Sequence, residues 1–105
     1  MSWIRLLPLE ELPAGTARAV TAGLDDLLVC RTDADHVYVV EDVCSHDDAP
    51  LGDQALDGAV VTCPRHGARF DVTSGEVLKA PAPVGIDTFA TRLSPDGWIE
   101  VDLEA

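Results

Sequence analysis

The sequence predicts an all-β fold, an antiparallel sandwich or set of barrel-like sheets within one domain. Three observations carry this expectation. Short runs rich in Val, Ile and Leu follow one another closely. Eight glycines and seven prolines punctuate them, and turns are where those residues belong. No helix-length stretch carries a convincing 3.6-residue apolar period. A chain of 105 residues suits one domain.

The elements follow in order. Residues 3–7 (WIRLL) form the first predicted strand. A single turn fits 9–12 in "PLEELPAG", stopped by Pro13 and Gly15. Strands are expected at 16–21 (TARAVT) and 27–31 (LLVCR), joined by a turn over 22–26 (AGLDD). Residues 32–35 (TDAD) lead by a hairpin into 36–41 (HVYVVE), a β-branched strand. Further strands are expected at 58–62 (GAVVT), 68–72 (ARFDV) and 76–79 (EVLK), the last two around a tight turn at 73–75. Residues 88–93 and 98–103 close the chain as a hairpin over Asp96-Gly97. Segments 42–57, 63–67 and 80–87 read as irregular, and no internal repeat, linker or low-complexity run is apparent.

Composition narrows the function. Apolar content of 47% is ordinary for a globular protein. No apolar run approaches the ~18 residues of a membrane helix. The start, "MSWIRLLPLEEL", lacks the apolar core of a secretory signal, so the cytoplasm is the expected location. A formal net charge of −12 argues against nucleic acid and anionic membranes as partners. Such charge favours solubility and permits long-range steering toward a basic partner. Three cysteines are an odd number for a disulfide framework, and cytosolic thiols stay mostly reduced.

The chemistry lies in two loops. Cys44-x-His46 is followed by sixteen residues and then Cys63-x-x-His66. Isolated cysteines are often only small buried apolar residues. Here, however, each Cys/His pair sits beside Pro and Gly in a loop that follows a strand. A single zinc is a second reading, because Cys2His2 is a common zinc set. Zinc pairs usually have two to four residues between them. With one residue between them, Cys44 and His46 reach two atoms of a larger object more easily than one ion.

The wider context, "VVEDVCSHDDAPLG" (39–52) and "LDGAVVTCPRHGARFDVTSGEVLKAPAP" (56–83), resembles the bacterial Rieske-type [2Fe–2S] ferredoxins of ring-hydroxylating dioxygenase systems. The likeness covers essentially the whole chain. It implies the Rieske fold, with a cluster-binding subdomain at about 42–84 made by the two loops. Cys44 and Cys63 would hold one iron, and His46 and His66 the other. It also implies a monomeric one-electron carrier, with no catalytic site of its own. Such a carrier takes its electron from a flavin-dependent ferredoxin reductase and passes it to a terminal oxygenase. With two ferric ions, two sulfides, two thiolates and neutral imidazoles, the oxidised centre is neutral, and one electron leaves one net negative charge. An all-thiolate centre is more negative in both states, so Rieske centres have the higher potentials. High-potential members carry a disulfide between the cluster loops. Here the only other cysteine is Cys30, far upstream, so a midpoint of about −150 mV is expected, the low end of the Rieske range. A potentiometric titration checks this, and a clearly positive midpoint at neutral pH contradicts it.

Other residues are read beside this. Cys30 is expected to be a core thiol and His36 an exposed strand-edge residue. By the resemblance, Pro81 and Pro83 belong to a loop that covers the cluster. Gly52 and Gly67 suit tight turns. Arg65 and Arg69 are expected to pair with acids such as Asp47, Asp48 or Asp71. Asp47, Asp48 and Arg65 form a possible docking rim. A catalytic oxygenase needs a second iron, usually held by two histidines and a carboxylate, yet the 39 residues after His66 contain no histidine. No Gly-x-Gly-x-x-Gly fingerprint for flavin or nicotinamide is present. Two alternatives remain: the small Rieske subunit of an NAD(P)H-dependent nitrite reductase, and a zinc-bound interaction module.

Overall fold

The computed structural model describes residues 2–45 and 48–103. Among these residues, ten strands run β1 (Trp3–Pro8), β2 (Thr16–Ala22), β3 (Asp25–Arg31), β4 (Val37–Glu41), β5 (Gln54–Ala55), β6 (Val60–Thr62), β7 (Arg69–Asp71), β8 (Val77–Lys79), β9 (Thr88–Leu93) and β10 (Trp98–Asp102). A 3-10 turn at Leu9–Glu11 follows β1. The strands make an antiparallel seven-stranded sheet in the order β1-β10-β9-β4-β3-β2-β5 and a three-stranded sheet in the order β6-β7-β8. The expected all-β fold is present. Among the described residues, no helix is long and apolar enough to cross a membrane.

Strands β3 and β4 explain how two cores share one sheet. Side chains alternate across a strand. Leu27, Val29 and Val39 therefore enter one core, with Leu7, Leu12, Ile99 and Val101. Leu28, Cys30 and Val40 enter the other, against Val61, Phe70 and Val72 of the small-sheet region. Both faces of these strands are covered, so "LLVC" and "VYVV" read as unbroken apolar runs rather than alternating ones. The second core also contains Cys44 and Cys63, which places the two loops at its end.

Several expectations are refined. The turn at 22–26 is tighter, because β2 runs to Ala22 and β3 begins at Asp25. Strand β5 lies inside a stretch expected to be irregular. It has two residues and no β-branched side chain, so its sequence carries no strand signal. Cys30 is a core thiol as expected, fully buried. Burial and then the charge of Asp42 push its pKa up to about 12, so it stays protonated and unreactive. His36 is exposed as expected but precedes β4 in the hairpin turn, with Nδ1 2.7 Å from Asp33 Oδ1. Asp33 Oδ1 also accepts the backbone N–H groups of Asp35 and His36. These hydrogen bonds hold the Asp33 carboxyl below its ordinary pKa.

At the other edge, Arg5 and Arg92 both reach the buried Glu100 carboxylate, at 3.3 and 2.7 Å. Their guanidinium groups cover Trp98 and Trp3 respectively. Both tryptophans thus belong to the β1–β10 edge of the large sheet.

Candidate metal centre

The first loop leaves β4 through Asp42. This side chain is buried, and its Oδ1 accepts the N–H groups of Leu51 and Gly52 at 2.9 and 3.0 Å. One carboxylate oxygen so ties the loop's entry to its exit. Within the loop, the Cys44 N–H donates to Ala49 O at 2.7 Å, and the Asp48 N–H donates to Cys44 O at 2.8 Å.

The second loop repeats this pattern. The Cys63 N–H donates to Ala68 O at 2.7 Å, and the Gly67 N–H donates to Cys63 O at 3.0 Å. The residue four after each cysteine is left-handed, with φ of 60° at Asp48 and 76° at Gly67. That turn brings the chain back to meet the cysteine amide. Glycine takes it freely, and aspartate is among the few others that tolerate it. Cys44, Ala49 and Leu51 are buried in step with Cys63, Ala68 and Phe70. "CSHDDAPL" and "CPRHGARF" are therefore a local repeat, which corrects the expectation of none. The signal was Cys, Ala and a large apolar residue in matched order. It was masked because the histidines are out of step by one position.

The structure brings Cys44 and Cys63 into one buried apolar cluster. None of the three cysteines is in a disulfide. His66 and Arg65 are exposed. His46 and Asp47 lie outside the described residues. Two thiols held inside by matched loops, with an imidazole at the rim, suit a metal group with one side in the core and the other near solvent. The donor set fits an iron–sulfur cluster.

The Rieske [2Fe-2S] domain family profile matches residues 2–90. The chain belongs to the Rieske [2Fe-2S] domain family. It is 32% identical to the ferredoxin component of a naphthalene 1,2-dioxygenase system from Pseudomonas aeruginosa, over 87% of this chain and 86% of that one. It is 35% identical to Ferredoxin CarAc from Metapseudomonas resinovorans, over 87% and 85%. A solved complex of reduced oxygenase and oxidized ferredoxin in carbazole 1,9a-dioxygenase contains a chain that matches with a TM-score of 0.85. That match is 33% identical and covers 94% of this chain and 91% of that one. A chain assigned as an NADH-dependent nitrite reductase small subunit from Mycobacterium tuberculosis shares the fold at 22% identity and a TM-score of 0.77. The chain is thus an iron–sulfur protein of the electron-carrying ferredoxin kind, not a catalytic oxygenase component.

In this Rieske chain the proline loop is anchored by residues other than its prolines. Pro81 and Pro83 are exposed, whereas Ala82 between them is buried in the same cluster as the two cysteines. The Ser45 hydroxyl donates to Val84 O at 2.5 Å, tying the first loop to the proline loop. Farther along, the Ile86 N–H donates to Gly75 O at 2.8 Å. Ser45 and Ala82 carry no sequence signal, because small residues at such positions are common everywhere.

Arg69 forms the ion pair expected of it, with Asp57 as the acid. Asp71 instead accepts the N–H and hydroxyl of Thr73, closing the β7–β8 turn. Asp48 is exposed and lines a hollow with Asp25, Asp26, Glu41, Asp42 and Asp87. The acidic surface beside the first loop is therefore assembled from four separate segments of sequence.

Proposed function

We propose that one Rieske [2Fe–2S] cluster sits between the two loops, with Cys44 and Cys63 on the inner iron and His46 and His66 on the outer one. The observation that carries this reading is the matched pair of loops, which buries both thiols in one core and leaves His66 exposed. The two loops and the small sheet, about 42–84, then act as the cluster-binding subdomain of a single domain. When bound, the cluster supplies reversible one-electron transfer. The chain's own residues do the rest. The matched loops fix the ligands, Ala82 and the proline loop with Pro81 and Pro83 exclude water, and His66 offers the edge a partner meets.

The partners we assign are a flavin-dependent ferredoxin reductase as donor and a terminal ring-hydroxylating oxygenase as acceptor, with the carrier a cytoplasmic monomer. The related ferredoxins, which belong to dioxygenase systems, support this assignment. The nitrite reductase alternative rests on shared fold alone. The test is reconstitution with such a reductase, NAD(P)H and a ring-hydroxylating oxygenase. Product is expected only when the carrier is present. Equal turnover without it, or carrier that stays oxidised, overturns the reading.

We also assign Asp47, Asp48 and Arg65 to the docking rim. At Asp48, asparagine is the cleaner probe, since it tolerates the left-handed backbone and removes only the charge. Asp48→Asn is expected to slow reduction by the reductase at low salt, with the difference fading as salt rises past ~0.15 M. An unchanged rate and salt dependence removes Asp48 from the rim.

A further inference from the structure

Strand β6 is an edge of the small sheet and runs directly into Cys63. Its register with β7 places Thr62 opposite Arg69, between the Cys63–Ala68 and Val61–Phe70 pairs. In an antiparallel ladder, hydrogen-bonded pairs alternate with pairs whose peptide groups face outward. Cys63 bonds Ala68, so the Thr62 N–H and C=O face away from β7. Among the described residues, Asp57 bridges Val60 on that side, and no strand pairs with Thr62 there. The side-chain amide of Gln54 does so instead. Its Oε1 accepts the Thr62 N–H at 3.0 Å, and its Nε2 donates to Thr62 O at 3.0 Å. Two opposed bonds to one residue are what a neighbouring strand would supply. Nε2 donates a second bond, at 3.2 Å, to Leu51 O at the exit of the first loop. The backbone of Gln54 is meanwhile fixed in the large sheet, where β5 pairs with β2 at Ala17.

We propose that Gln54 is a positioning residue for the iron–sulfur site, its amide acting as a one-residue strand that sets the second cluster loop against the first. This rests on the assignment of both loops to the cluster. The Gln54 amide bonds the backbone of Thr62 and Leu51. It acts through Thr62, which precedes Cys63, and through Leu51, whose own N–H is held by Asp42. One end of the clasp is the rigid large sheet, and the other two ends are the flanks of the two ligand loops. A clasp of this kind matters most where loops must not part, because opening exposes an inner thiol to water and competing ligands. Only an amide can fill the role. A carboxylate of the same shape accepts the Thr62 N–H but presents a negative oxygen to the two carbonyls, and alanine leaves all three groups without this partner.

The variants are Gln54→Glu and Gln54→Ala, studied as the cluster-loaded protein. Three quantities are read. The first is hydrogen exchange of the segment containing Thr62, by mass spectrometry. The second is the rate of cluster loss to a chelator in native buffer. The third is the urea midpoint from the fluorescence of Trp3 and Trp98, which report the far edge of the large sheet. Faster exchange is expected, with cluster loss about tenfold faster in both variants, equivalent to about 1.4 kcal/mol. The tryptophan midpoint stays where it is. Unchanged exchange overturns the clasp. Unchanged cluster loss, or loss that quickens only in proportion to a fallen midpoint, overturns the positioning role. Iron and sulfide are measured first in the unaltered protein. Their absence overturns the ligand assignment itself, and the exchange data still judge the clasp.

Discussion

His66→Ala is expected to abolish the visible spectrum of the cluster and all reductase-driven electron transfer, while the protein stays folded. His66 stands on the exposed side of the second loop, three residues after a buried thiol. Its loss removes one of the four proposed ligands and cannot be made good nearby. Of the two remaining histidines, His36 is engaged with Asp33 in a distant hairpin, and His46 is already assigned. The substitution adds no buried polar group and opens no core cavity, because His66 lies at the surface. The tryptophan edge of the large sheet, built on Leu7, Ile99 and Val101, does not depend on it. Cys63→Ser is expected to lose the same signals. It also places a hydroxyl in an apolar cluster, so it costs stability as well. Cluster spectrum and electron transfer retained in His66→Ala would remove that residue from the site.

The largest loss of stability is expected from Gly75→Ala. Gly75 sits in the β7–β8 turn at φ 79°, and a Cβ there would lie 2.1 Å from the backbone oxygen of Ile86. The left-handed conformation alone costs an alanine about 1–2 kcal/mol. The clash is with main chain, which cannot swing aside as a long side chain does. The opposing strand of backbone is tight as well, since a Cβ on Gly85 would lie 2.4 Å from Gly75 O. Together these imply a loss of about 3 kcal/mol or more in urea unfolding. Gly58→Ala is the control. Its φ of 62° is also left-handed, but nothing lies within 4 Å of the added carbon, so only the conformational cost of about 1–2 kcal/mol is expected. Because Ile86 N–H bonds Gly75 O, the alanine at 75 should also loosen the proline loop and speed cluster loss. Equal losses at the two positions would mean that the loop does not press on that turn.

Much of this was legible in the sequence because it depends on local chemistry. The strands in "VYVV" and "WIEV" declare themselves through β-branched residues. The Cys/His spacings are specific because a one-residue gap does not suit a single small ion. What was not legible depends on tertiary placement. Gln54 looks like an ordinary polar loop residue until Thr62, on the outer edge of β6, is seen to bond its side-chain amide rather than a strand. Asp57 as the partner of Arg69 is set by how the segment before β6 folds back, not by nearness to the motif. The acidic hollow gathers Asp26, Glu41, Asp48 and Asp87 from across the chain, so net charge announced its sign but not its position. Gly75 and Gly85 read as turn punctuation, although what they permit is a close contact between two main chains.

Both loops are assigned to a single cluster of two irons. Metal and acid-labile sulfide analysis of the purified protein, with the spectrum of its reduced form, tests it most directly. About two irons and two sulfides per chain are expected, with a Rieske-type signal that appears on one-electron reduction. One zinc per chain without sulfide, or iron with no such signal, would contradict it.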